Sequence, residues 1–96
     1  MHNPATDELI GTINLAGATE VDAAVAAARE AYENGPWPTY SGEQRSKLLN
    51  KLADLIDAHV LEIARAESEA MGQPSGMSEG WVVPASAQCF RYYAGE

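Results

Sequence analysis

Ser41-Gly42-Glu43-Gln44-Arg45-Ser46-Lys47-Leu48-Leu49-Asn50-Lys51-Leu52-Ala53-Asp54-Leu55-Ile56 is the stretch on which the fold turns. Ser41 with Gln44 three residues on is the capping-box pattern, in which side chains satisfy two backbone N–H groups that a helix start leaves unpaired. From there Leu48, Leu49, Leu52, Leu55, Ile56, Val60 and Ile63 trace one broad helical face. The spacing predicts a single helix running to about Ala70 or Met71, where Gly72 and Pro74 end it. Lys47, Lys51, Asp54, Asp57, Glu62 and Arg65 lie opposite the apolar face and read as an ordinary solvated surface.

Upstream, Thr19 occupies an N-cap position, with Glu20 and Asp22 opposing the positive end of a helix. Val21, Ala24, Val25, Ala28 and Tyr32 recur at helical spacing behind it. Asn34-Gly35-Pro36 supplies the stop, because glycine takes left-handed φ without penalty and proline cannot continue the ladder. Trp37 to Tyr40 reads as a connecting loop with aromatic anchors. Nearer the start, Asn3-Pro4-Ala5-Thr6-Asp7 is a turn signal, and the run Leu9 to Asn14 predicts a short strand. No second strand run accompanies it, so any pairing is weak or comes from elsewhere.

Downstream, Gly76, Gly80 and Pro84 interrupt what is otherwise one helical stretch from Ser75 to Ala94, and a kink or restart is expected near Pro84. Beyond it Ala85, Cys89, Tyr92 and Tyr93 line one side with Phe90 beside them, which predicts an aromatic face packed on the long helix. The expected fold is mainly α: three helices after a short N-terminal β segment.

A chain of 96 residues fits one domain at most, and a globule of that size buries only roughly 60 to 70 per cent of its unfolded surface. Hydrophobic residues make up 46%, but much of this is alanine, which buries little area per residue. The net charge of −8 repels phosphate backbones and anionic lipid, which argues against nucleic acid and membrane surfaces as partners. No apolar run approaches the roughly 20 residues that cross a bilayer, and Met1-His2-Asn3-Pro4 does not begin a secretory signal. A soluble, cytoplasmic protein is expected. The single cysteine, Cys89, forms no internal disulfide, in keeping with a reducing compartment.

The chemistry-bearing residues are few. Cys89 sits within a predicted helix with only Arg91 close in sequence, and Arg91 leaves at a different helical angle; a small residue filling a helix interface is the simpler reading. His2 and His59 are isolated, and His59 with Glu62 reads as a surface pair one helical turn apart. Gly72 and Gly76 flank Pro74 in a helix connection, which capping explains more simply than phosphate binding, and neither G-x-G-x-x-G nor G-x-x-x-x-G-K-[ST] occurs. The residues therefore nominate no catalytic, cofactor-binding or metal-ligating group.

Asn3-Pro4-Ala5-Thr6 followed by Leu9-Ile10-Gly11-Thr12-Ile13, the alanine-rich Val21 to Tyr32, Trp37, and the closing Phe90-Arg91-Tyr92-Tyr93-Ala94-Gly95 together resemble the N-terminal region of the NAD(P)-dependent aldehyde dehydrogenase family. The resemblance spans nearly the whole chain. It implies that residues 1–96 are a single partial domain, the N-terminal helical part of a larger α/β fold. In that family this stretch is scaffold, and the reactive cysteine and the dinucleotide site belong to later motifs, so the nucleophile's role is not carried onto Cys89. NAD or NADP is then the cofactor of the full-length enzyme and of no site within this chain.

Two departures stand out. Ala70-Met71-Gly72-Gln73-Pro74 replaces the acidic residue and lysine usual around that glycine, which puts a monovalent-cation site in doubt, and Gly95-Glu96 lacks the aromatic residue that commonly follows the glycine. The resemblance implies a fragment of an aldehyde-oxidising oxidoreductase, itself not catalytic, that self-associates or packs against the missing remainder. The alternative from a different class is a small helical protein that binds a partner, such as an intact relative, through the same apolar faces.

Overall fold

The computed structural model describes residues 1–96 and is mainly helical from Ala18 onward, with the order α1 (Ala18–Asn34), α2 (Gly42–Ala58), α3 (Val60–Met71), α4 (Ser75–Met77) and α5 (Val83–Ala94). A 3₁₀ turn, Trp37–Thr39, joins α1 to α2, and a widened π-type turn, Ser78–Val82, joins α4 to α5.

The capping box at the head of α2 is formed as the sequence predicts: Gln44 N–H donates to Ser41 Oγ at 3.2 Å, and Ser41 N–H donates to Gln44 Oε1 at 2.8 Å. The long helix is not single. It breaks at His59, whose backbone (φ −114°, ψ 21°) leaves the helical region, so that α2 and α3 meet at a bend. His59 Nδ1 lies 2.8 Å from the Leu55 carbonyl oxygen, a contact that requires the Nδ1–H tautomer and sets a side chain in competition with the backbone ladder.

The N-cap of α1 lies two residues before the expected Thr19. Gly17, extended at φ −96° and ψ −170°, is the N-cap, and the Glu20 carboxylate accepts its N–H at 2.8 Å, so Thr19 lies within the first turn. At the other end Gly35 is extended rather than left-handed (φ −74°, ψ 169°). Glycine is needed there for space, because a Cβ would run into the Ala31 carbonyl.

The strand expected over Leu9 to Asn14 is absent. A single antiparallel bridge pairs His2 with Leu9, closing a turn in which Asn3 N–H donates to the Glu8 carbonyl at 2.9 Å and Ile10 N–H to the Met1 carbonyl at 3.0 Å. A strand exists only through its neighbour, and the chain offers Leu9 to Asn14 nothing longer to pair with. The turn itself forms, with Asn3 Oδ1 accepting the Ala5 N–H at 2.9 Å.

This turn docks on the far end of α3. Gly72 closes α3 in the left-handed region (φ 73°, ψ 15°), donating its N–H to Ser68, and a Cβ there would lie 2.8 Å from Pro4 Cγ. Gly72→Ala is therefore expected to cost about 1–2 kcal/mol in backbone strain and to unseat the N-terminal turn as well. Thermal melts should fall, and proteolysis should reach residues 1–10 sooner; an unchanged melt would refute the account.

The expected kink near Pro84 takes a defined form. Val83 N–H donates to the Ser78 carbonyl, five residues back, so the turn before Pro84 is widened. Proline has no N–H for the ladder and its ring crowds the preceding turn, which the extra residue relieves. Gly80 stands within that turn.

Candidate functional site

The most extensive packing in the molecule is α2 against α5, and its buried residues are small. Ala53 on α2 and Val83, Ala87 and Ala94 on α5 are buried, and Ala64 on α3 and Ser78 in the widened turn complete the buried set. On α5 the residues Val83, Ala87, Phe90 and Ala94 fall within about 60° of arc, so this stripe faces α2. Helix α5 packs on α2 as expected, but of the predicted contact face only Phe90 lies in this stripe. Tyr92 and Tyr93 are 65% and 62% exposed, and Cys89 is exposed rather than filling the interface. Periodicity offers two apolar stripes on α5, and the backbones approach through the one with the smaller side chains.

Arg91 ties the same two helices together. Its Nη2 lies 2.8 Å from Asp54 Oδ1 and 2.7 Å from Asp57 Oδ2, spanning successive turns of α2. Hydrogen bonds to Asp54 and then to Asp57 raise the guanidinium pKa above its already high ordinary value. A raised arginine pKa contributes stability that is lost only at pH above that value, so this shift creates no switch near neutrality. Asp54, Asp57 and Arg91 are thus a clasp that sequence reasoning missed, because the carboxylates read as a solvated surface and Arg91 is placed only relative to Cys89. Arg91→Met is expected to lower the melting temperature more at low than at high ionic strength. An equal drop at both would assign the effect to the lost packing of the arginine stem.

Beside this interface lies an apolar groove where α2 bends into α3. Ile56, Ile63, Val82 and Val83 form one part of it with Glu67 and Ser86, lining an open hollow of about 270 Å³. Leu55, His59 and Glu62 continue it along the bend, sharing Ile56 and Ile63. His59 and Glu62 do not pair with each other, since the imidazole Nδ1 is turned to Leu55. No three His, Cys, Asp or Glu groups come together in a way that could hold a metal ion.

The apolar surface left open is extensive. Leu48, Leu52 and Leu55 on α2, Leu61 on α3, Trp81, Tyr92 and Tyr93 are all 40% exposed or more, and α1 buries no residue at all. The chain exposes 7404 Å², where a compact monomer of 10.3 kDa exposes about 5,400 Å². Its radius of gyration is 17.2 Å, against about 12.5 Å for a compact domain of this length. Its thinnest dimension, 16 Å between Cα atoms, leaves little depth beyond one tier of helices. A helix apolar on two sides, as α5 is, normally lies between two layers.

A dinucleotide does not fit the residues present. Pyrophosphate binding calls for a glycine-rich turn between a strand and a helix, and the glycine connection here runs between helices with Pro4 filling the space over Gly72.

The chain matches the aldehyde dehydrogenase family over residues 1–96. It is 47% identical over 93 residues to an aldehyde dehydrogenase of Alternaria alternata, covering 97% of this chain and 18% of that protein. Aldehyde dehydrogenase 1 of Tanacetum cinerariifolium is 44% identical across the same share of the chain, which covers 19% of its length. The cytosolic 10-formyltetrahydrofolate dehydrogenase of Homo sapiens is 41% identical, with 97% of this chain covering 10% of it. The chain thus spans a fifth or less of these relatives. Helical architecture, a tier with apolar residues on both sides and a match across the full length converge: this chain belongs to the aldehyde dehydrogenase family.

Proposed function

We infer that the chain is the N-terminal helical tier of an oxidoreductase that oxidises aldehydes to carboxylic acids with NAD(P)+, and that it carries scaffold rather than chemistry. The observation that supports this best is α5, apolar on the face it turns to α2 and aromatic on the face it leaves open. Such a helix is built to have a second layer over it. The only thiol, Cys89, has no side-chain hydrogen-bond partner to activate it, whereas a thiol nucleophile needs a base or a cation at hand. NAD or NADP is then held by polypeptide of the kind that makes up the larger share of the relatives.

The direct test is spectrophotometric. The purified chain, given NAD+ or NADP+ and a simple aldehyde, is expected to produce no NADH or NADPH, and turnover would refute the reading. The genomic sequence after the codon for Glu96 supplies the complementary test: an in-frame or once-shifted continuation into a cysteine motif and glycine-rich loops supports the parent enzyme. The same open faces also favour a second reading, a non-catalytic helical protein that binds an intact relative. A stop codon with no such remnant beyond it would select that one.

A further inference from the structure

We propose that the groove at the α2–α3 bend is the seat of an apolar segment carrying a lysine or arginine, supplied by the family polypeptide outside the stretch this chain matches. The proposal rests on the scaffold reading above and names what that scaffold holds at this place. The groove is two shallow hollows of about 270 and 280 Å³, open to solvent along the bend rather than closed around a ligand-sized space, so it suits protruding side chains better than an engulfed ligand. Ile56, Ile63, Val82 and Val83 set its apolar character.

Charge selects the occupant. Glu62 and Glu67 line the groove, and neither has an ion-pair or hydrogen-bond partner within the chain. Arg65, their neighbour on α3, is taken by Glu69 at 2.7 Å. Arg29, Lys47 and Arg91 are likewise paired elsewhere, and Arg45 and Lys51 do not line the groove. An occupant that covers the apolar floor strips water from two carboxylates, which is costly unless it brings a cation to them. A second copy meets this need poorly, since it adds another net charge of −8 and most of its own cations are engaged. The 18% share of the Alternaria alternata relative leaves ample polypeptide of the same family to provide the segment.

Two measurements decide it. In the first, the 96-residue chain is titrated with a fluorescein-labelled amphipathic peptide bearing leucine and isoleucine on one face and lysine at its edge, and with a copy carrying glutamate for that lysine. The lysine peptide should bind about tenfold tighter, with the difference fading at high salt and in the Glu62→Gln, Glu67→Gln double variant. Equal binding of the two peptides, or a preference that survives the double substitution, overturns the proposal. Glu43→Gln, far from the groove, should change nothing.

In the second, the chain is co-expressed with the remainder of the Alternaria alternata relative, and a photoreactive benzoylphenylalanine replaces Ile63. The cross-linked peptide should come from that remainder and contain lysine or arginine beside apolar residues. A cross-link to a second copy, or to a segment without a cation, overturns the assignment. A complex that forms without a cross-link at position 63 refutes the groove alone, whereas failure of the two pieces to associate at all refutes the scaffold reading together with its occupant.

Discussion

Ala87→Leu is expected to part α5 from α2 and to lower stability by roughly 1–3 kcal/mol, the usual cost of overfilling a close-packed site. Ala87 has no exposed surface, and it faces a helix whose own buried residue, Ala53, is equally small. Three extra carbon atoms can be accepted only if the two backbones move apart. That movement also lengthens the reach from Arg91 to Asp54 and Asp57, so the clasp and the contact fail together. Because so few other residues are buried, the loss falls on most of the tertiary structure the chain possesses. Far-ultraviolet circular dichroism should keep much of its helical signal while the melt broadens and shifts down. Cys89→Leu makes the control, since Cys89 is exposed on the opposite face and should tolerate the change. Equal destabilisation by both would mean that α5 is not oriented as described.

The second large effect concerns the chain on its own in solution. It is expected to bind hydrophobic dyes strongly and, at micromolar concentration, to sediment above its 10.3 kDa formula mass. The excess of some 2,000 Å² over a compact monomer is of the order that stable interfaces bury, so uncovered faces of that extent find one another. Co-expression with the remainder of a family member should abolish both dye binding and association. A compact 10.3 kDa monomer that unfolds cooperatively and ignores the dye would contradict the uncovered-layer description.

Features that depend on neighbours along the chain were legible in the residues. Ser41 with Gln44 marked the head of α2, Gly72 marked the end of α3, and Asn3 with Pro4 marked a turn, because each acts over a few bonds. What failed to read through was whatever needs a second body. Leu9 to Asn14 has β-forming residues but no neighbouring strand, so only the His2–Leu9 bridge forms. On α5 the aromatic stripe outweighed the alanine stripe by hydrophobicity, yet close approach of two helices favours small side chains. The bend at His59 carries neither glycine nor proline, and the contact of its ring with Leu55 is a local competition that composition does not announce. The candidate groove was least legible of all: Ile56 and Ile63 were visible as part of an apolar face, but Val82 and Val83 were not, and the isolation of Glu62 and Glu67 emerges only once every arginine and lysine has a place.

The seating of Pro4 on Gly72 joins two points that are far apart along the chain. Closing so long a loop sacrifices entropy early for a contact of only a few atoms, so it should form after the helices have assembled, on the native side of the folding barrier. Removing it by deleting residues 1–10, which leaves the α3 terminus intact, would then leave the refolding rate nearly unchanged and accelerate unfolding, which makes the first ten residues a latch on the lifetime of the folded state rather than a step in reaching it.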